Sequence, residues 1–115
     1  MADAESVFQH HLEAFAAGDI DEILKDYTDD TLVIYDDFVA RGRDEIRKFF
    51  ERWINEWLPP GCDFDLEQIR AVDDMVLITW TAESEKYRFE FGTDTFLVRN
   101  GKIERQTVAA KVVAK

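Results

Sequence analysis

The sequence predicts an α+β fold in which helices pack on the concave face of a curved antiparallel sheet, forming a cone-like half-open barrel. Helical spacing of apolar residues occurs only before Pro59-Pro60-Gly61, and the pattern after this break is that of strands alone. Asn100-Gly101 joins two long alternating runs, which is a strong signal for a tight hairpin. Because the helices must cover one face of that sheet, we expect a single domain over residues 1–115.

The first helix is predicted over residues 4–17, where apolar residues keep helical spacing and Gly18 ends the segment. At about 100° per residue, His11 lies on the apolar face of this helix and His10 lies outside it. Only His11 is therefore expected to point inward.

Two more helices follow. Asp19, with Glu22 three residues later, resembles a capping box that begins a short helix continuing through Tyr27. A short strand over residues 31–35, a turn at Asp36-Asp37 and a return strand over residues 38–40 come next. Gly42 then opens a helix with one broad apolar stripe, formed by Ile46, Phe49, Phe50, Trp53, Ile54 and Trp57.

The second half is predicted to be strands at residues 64–72, 75–82 and 87–113, the last range being the hairpin. The apolar phase of the hairpin's first strand slips near Gly92-Thr93, which indicates a β-bulge. We expect the bulge to turn Phe91, Asp94 and Phe96 toward the helices. An inward Asp94 must then find a partner or stay neutral.

Composition excludes several classes of partner. Fourteen basic and twenty-five acidic residues give a net charge of -11, which repels nucleic acid and anionic membrane surfaces. No apolar run approaches the roughly 20 residues of a membrane span. The only cysteine, Cys62, has no internal disulfide partner, and the start of the chain lacks signal-peptide features, so we expect a cytoplasmic protein. Neither metal-ligand spacing nor a phosphate loop occurs, so we expect no metal and no cofactor.

Several local strings, in this order, resemble the nuclear transport factor 2-like superfamily, in particular its ketosteroid-isomerase and polyketide-cyclase (SnoaL-like) branch. They are Ala17-Gly18-Asp19, YTDD at 27–30, Gly42-Arg43 and the hairpin TDTFLVRNGKIERQT.

The resemblance implies roles for three residues. Asp94 stands where the ketosteroid isomerases keep a protonated aspartate, which donates a hydrogen bond to the oxyanion and is held neutral by its apolar site. His11 stands at the position of their oxyanion tyrosine, and Tyr35 at that of their general-base aspartate. This set of a tyrosine, a histidine and an aspartate resembles the sites of the dehydratase and cyclase members more than those of the isomerases.

Each candidate also has a purely structural interpretation. His11 is either functional or a core histidine bonded to a backbone carbonyl. Asp94 either faces a pocket, bonds a neighbouring threonine or tyrosine, or faces solvent if no bulge exists. Gln106 either offers the cavity a polar contact or faces solvent. The aromatic candidates either pack the core or line a ligand cavity, and they are Trp53, Trp57, Trp80, Phe89 and Phe96.

Two mechanisms follow for the site. In the first, a His11 nitrogen lies within about 3 Å of an Asp94 oxygen, directly or through one water, and His11 acts as a general base. In the second, Asp94 is isolated among rings and donates a hydrogen bond to a ligand carbonyl.

Three functional hypotheses remain open. The first is a cofactor-free isomerase, dehydratase or cyclase that moves a proton on a small apolar carbonyl or hydroxyl compound. The second is a domain that binds a small apolar ligand without chemistry. The third is a dimerisation module whose cavity is filled by tryptophans. In all three we expect a homodimer, because the outer sheet face carries Met75 and Leu77 among threonines.

Overall fold

The computed structural model describes residues 3–36 and 38–115, and these form three helices and six strands. The predicted α+β class is confirmed. The elements are α1 (Ala4–Ala17), α2 (Ile20–Leu24), β1 (Tyr27–Tyr35), β2 (Phe38–Arg41), α3 (Gly42–Arg52), β3 (Asp63–Val72), β4 (Met75–Glu83), β5 (Tyr87–Arg99) and β6 (Lys102–Ala114). A π-helical turn, Trp53–Trp57, extends α3.

The caps predicted for the first two helices are present. Gly18 adopts a left-handed conformation with φ 68°, and its N–H bonds back to the last turn of α1. The Asp19 carboxylate accepts a hydrogen bond from the Glu22 N–H at 3.1 Å, which satisfies one free donor at the start of α2. That helix ends at Leu24, so the prediction that it continues through Tyr27 is wrong: Tyr27 is the first residue of β1.

The six strands form one open, mixed sheet in the order β2-β1-β6-β5-β4-β3. The sheet is not wholly antiparallel as expected, because β1 and β6 run parallel, whereas the other neighbours are antiparallel. Asn100 and Gly101 have φ values of 55° and 73°, as the predicted tight turn between β5 and β6 requires. Asp36, at the β1–β2 turn, also has a positive φ, and Asp37 lies outside the described residues.

The core lies between the helices and the concave face of the sheet. Its fully buried side chains include Phe8 of α1, Ile46 of α3, and Phe96 and Ile103 of the hairpin. Each such side chain contributes about 1.5–3 kcal/mol by leaving water. This interior is where a predicted site would have to form.

His10 fastens α1 to the segment that follows it. Its Nδ1 lies 2.6 Å from the Asp26 carboxylate and its Nε2 lies 2.8 Å from the Glu22 carboxylate. Hydrogen bonds to these two carboxylates raise the pKa of His10. The two neighbouring histidines therefore have opposite surroundings, since His11 is buried among apolar groups.

The predicted bulge in β5 exists, but it lies at Glu90–Phe91 rather than at Gly92-Thr93. Phe89 and Phe91 face consecutive residues of β6, which leaves Glu90 as an extra residue. The bulge turns Gly92, Asp94 and Phe96 inward. Phe91 points outward and is 50% exposed, so its predicted inward orientation is wrong.

Gly92 is needed for space. It pairs with Trp80 of β4, and a Cβ at this position would overlap the Trp80 indole ring. The absence of a side chain lets the indole lie flat across β5, beside Asp94.

We therefore expect Gly92→Ala to destabilise the protein by about 1–3 kcal/mol, the usual cost of overpacking a core. Urea unfolding of the variant measures this loss. In a Trp80→Leu background the same change should cost much less, because the overlapping ring is gone. An equal cost in both backgrounds would show that the ring contact is not the cause.

Candidate functional site

A line of polar side chains crosses the concave face of the sheet. Trp80, Asp94, Gln106 and Tyr27 come from β4, β5, β6 and β1, which are four consecutive strands of the sheet. His11 extends the line to α1. We call these five residues the polar chain.

Hydrogen bonds join the members of the polar chain. Asp94 accepts one bond on each carboxylate oxygen, from Trp80 Nε1 at 2.9 Å and from Gln106 Nε2 at 3.0 Å. The Tyr27 hydroxyl donates to Gln106 Oε1 at 2.5 Å and lies 3.4 Å from His11 Nδ1. The whole line is buried.

The direction of these bonds sets the proton on His11. The Tyr27 proton points to Gln106, so its oxygen can only accept a bond from His11 Nδ1. The contact therefore favours the tautomer in which Nδ1 carries the proton. The other nitrogen, Nε2, then keeps a lone pair and has no hydrogen-bond partner among residues 3–36 and 38–115.

Burial shifts the two titratable ends of the chain in opposite directions. It raises the pKa of Asp94 to about 6, although the bonds from Trp80 and Gln106 oppose this shift. It lowers the pKa of His11 to about 4, with a smaller contribution from the charge on His10. At pH 7 His11 is thus neutral and Asp94 is mostly ionised, close to the pH at which it takes up a proton.

An interior cavity of about 50 Å³ lies beside the polar chain. That space has room for about one or two water molecules. It is far smaller than pockets for drug-sized ligands, which measure roughly 300–1,000 Å³. Rings fill most of the cone. The side chains that line the cavity include His11, Phe49, Trp53, Trp80, Asp94, Phe96 and Gln106.

A larger cleft, of about 600 Å³, lies nearer the surface between α3 and the β1–β2 end of the sheet. Its walls are Tyr35, Asp36, Phe38, Lys48, Phe49, Arg52, Trp53 and Trp57. We call it the outer cleft. Phe49 and Trp53 line both spaces, so these two rings form the wall between the outer cleft and the interior cavity.

Trp53 has an unsatisfied group in that wall. Its indole Nε1 is fully buried and has no hydrogen-bond partner among the described residues. It also stands at the start of the π-helical turn, a distortion that often occurs at functional sites. Unpaired buried N–H groups are rare in folded proteins.

The structure brings His11 and Asp94 to the same cavity but does not pair them directly. In the described residues Asp94 bonds Trp80 and Gln106, whereas His11 contacts Tyr27. The sequence predicted a hydrogen bond between the two, directly or through one water, and the direct form does not occur in this structure. Nor does a carboxylate favour a charged His11, whose pKa is lowered rather than raised.

The other predicted site residues divide between the two spaces. Trp53, Trp80, Phe96 and Gln106 line the interior cavity. Tyr35 and Trp57 line the outer cleft, so Tyr35 lies beyond the wall from Asp94. Phe89 lines neither space and packs against Trp53, with ring centroids 5.5 Å apart, and against Trp80.

Sequence reasoning missed Tyr27 as a site residue. Its position fits the apolar periodicity of the preceding helix, which hid the change to a strand. The signal was available, because Tyr27 shares the inward face of β1 with Thr31 and Val33.

In residues 3–36 and 38–115, no group of three or more histidine, cysteine, aspartate or glutamate side chains is placed to hold a metal ion. No helix among these residues is long and apolar enough to cross a membrane.

Several solved structures of low sequence identity share the fold of this chain. The epoxide hydrolase/cyclase-like enzyme SalBIII, which has a role in pyran ring formation in the polyether salinomycin, is 16% identical, with a TM-score of 0.80 over 97% of this chain and 95% of its own. A candidate ketosteroid isomerase from Kribbella flavida is 13% identical, with a TM-score of 0.76 over 94% and 77%. A de novo designed protein with a curved β-sheet is 16% identical, with a TM-score of 0.79 over 94% and 84%.

The fold and the site thus define a nuclear transport factor 2-like domain with polar groups inside an apolar cone. The SnoaL-like domain family matches residues 8–106, and the chain belongs to this family. No curated protein sequence matches the chain significantly. The sequence resemblance is confirmed, while identities this low establish the fold alone.

The opposite pKa shifts predict opposite effects of pH on stability. Because the pKa of Asp94 is raised in the folded protein, the protonated form of Asp94 favours folding. This contribution to stability is fully present below pH 3.8 and is lost as pH rises through about 6. The lowered pKa of His11 gives stability that is present above pH 6.5 and is lost as pH falls through about 4. Each contribution is about 3 kcal/mol, at 1.36 kcal/mol per pKa unit.

We therefore expect Asp94→Asn to lose stability more steeply than the native chain as pH falls from 6.5 to 4, and His11→Gln to lose it less steeply. Urea unfolding of all three proteins across this range measures the slopes. His10 and the surface carboxylates titrate in each protein, so their effects cancel in the differences. Parallel curves for the three proteins would contradict these environments for Asp94 and His11.

Proposed function

We propose that this chain binds a small apolar compound bearing a carbonyl or hydroxyl group and moves a proton on it without a cofactor, as an isomerase, dehydratase or cyclase. One observation carries the proposal: a buried carboxyl, Asp94, borders a cavity and has a pKa near 6. A general base works best when its pKa lies near the working pH.

Asp94 is the proposed base. Ionised at pH 7, its carboxylate removes a proton from carbon beside the carbonyl or from the hydroxyl, and the resulting acid returns the proton to another atom of the same compound. The bonds from Trp80 and Gln106 hold the carboxylate in one orientation through both states. Preorganised groups of this kind spend no energy on reorientation during the reaction.

His11 is the proposed hydrogen-bond acceptor for the ligand. Its Nε2 lone pair accepts a hydrogen bond from a ligand hydroxyl, while Tyr27 holds Nδ1. Because burial keeps His11 neutral, no buried ion pair forms with Asp94. The ligand would thus lie between two groups that differ in charge.

Access requires movement in the wall between the two spaces. The outer cleft has room for a small ring compound, and the interior cavity has not. We propose that Trp53 turns aside to admit the ligand from the cleft. Its indole N–H has no partner to lose when it moves, which supports this role.

Hydrogen exchange provides a test that needs no knowledge of the natural substrate. Proton transfer predicts that the protein accelerates exchange of the α-hydrogens of a small cyclic ketone in D₂O, followed by NMR. Asp94→Asn should lower this rate by about 100-fold, within the range for removing a general base. Asp65→Asn, which removes an exposed carboxylate of β3, is the matched control and should have no effect.

Binding without chemistry is the second candidate, favoured by the small volume of the interior cavity. In that case the cyclic ketone would bind, and its exchange rate would equal that of buffer. The same NMR samples report both outcomes, so binding without acceleration would refute proton transfer and support the binding domain.

We also propose a homodimer formed through the outer sheet face. A band without charged side chains crosses three neighbouring strands, β4, β5 and β6, where Leu77 faces Thr95 and Thr95 faces Thr107. Met75 and Phe91 beside this band are 47% and 50% exposed. In a chain of net charge -11, an uncharged band of this kind suits contact with a second copy.

The unpaired Cys62 supports the further proposal that the protein acts in the cytoplasm.

Sedimentation at micromolar concentration should therefore give a species near twice the 13.4 kDa chain mass. Added salt should tighten the dimer by screening repulsion between the acidic chains. Leu77→Lys places charges in the contact and should give a monomer, whereas Gln9→Lys adds the same charge to an exposed position of α1, away from the outer sheet face. A monomer at low and high salt would contradict the proposal.

A further inference from the structure

The outer cleft concentrates positive charge in a strongly acidic chain. Lys48 and Arg52 lie four residues apart on α3, so they share one side of the helix and both line the cleft. Asp36 is the single carboxylate among the lining residues that the structure describes. Among these described residues two cations thus face one anion, although the chain as a whole has a net charge of -11.

The two cations are available for a ligand. Lys48 is exposed and makes no ion pair with the described residues. The Arg52 guanidinium stacks over the Trp57 ring, 4.6 Å from its centroid. Its only ion pair among the described residues is an exposed one with Glu56 at 3.4 Å. Exposed pairs of this kind contribute little, so Arg52 can exchange this contact for a bound anion.

The remaining walls of the outer cleft suit a ring. Tyr35 meets Trp53 and Trp57 edge to face, with centroids 5.4 and 5.9 Å away, and Phe38 stacks on Phe49. A flat apolar body can lie against these rings while an acidic group reaches the rim. The volume of about 600 Å³ accommodates a compound of this size.

We infer that the outer cleft binds a small ring compound carrying a carboxylate, with the carboxylate on Lys48 and Arg52 and the ring against the aromatic walls. This inference rests on the proposed function, because the cleft is taken as the entrance to the same ligand site. It names the class of ligand: an aryl or cycloalkyl acid whose uncharged end points to the wall formed by Phe49 and Trp53.

Calorimetric titration with 4-phenylbutyrate and with its uncharged amide, 4-phenylbutyramide, tests this inference. The two compounds share a ring and chain, so their difference isolates the charge. We expect the acid to bind about fivefold to tenfold more tightly, as two exposed charge contacts allow. The double variant Lys48→Gln/Arg52→Gln should lose this preference and keep its affinity for the amide.

The matched control is Arg70→Gln/Lys86→Gln, which removes the same two charges outside the cleft and should keep the preference. Equal affinities for acid and amide in the native chain, a preference that survives in the Lys48/Arg52 variant, or no binding of either compound would overturn the inference. Proton transfer is judged separately, by the ketone exchange rate of Asp94→Asn. The failure of one proposal can therefore be distinguished from the failure of the other.

Discussion

The burial of Asp94 constrains the arrangement of the whole concave face. A carboxyl among rings is tolerated only if its oxygens are bonded, and here one donor comes from each neighbouring strand. Gln106 can donate in the right direction because Tyr27 occupies its oxygen. The register of four strands and the position of α1 are thus tied together by one acidic group.

The aromatic packing depends on the same group. Trp80 donates to Asp94 only because its ring can lie across Gly92, and Gly92 faces inward only because the bulge at Glu90 shifts the strand by one residue. The hydrogen bond that Asp94 needs and the space that the Trp80 ring needs therefore constrain the same adjacent strands. The bulge also places Phe91 on the outer face, next to the proposed dimer contact.

The helices, the hairpin and the inward orientation of Asp94 could be predicted, because each depends on periodicity or turn chemistry within one segment. The partners of Asp94 could not, since they depend on the order of strands, and the parallel pairing of β1 with β6 has no local signal. This pairing places Tyr27 within reach of Gln106. His11 and Asp94 are not in direct contact, because Tyr27 and Gln106 lie between them in the polar chain.

The energetic cost of Asp94 argues that it is more than a packing residue. With its pKa raised to about 6, the ionised group costs the fold about 3 kcal/mol at neutral pH, which is a large share of the stability of a small domain. Groups with strongly shifted pKa values beside a cavity are typical of functional sites, where a proton must leave and return. Ionised Asp94 lowers the stability of the fold near neutral pH, where its pKa of about 6 suits it to act as a base. This combination supports proton transfer over simple binding.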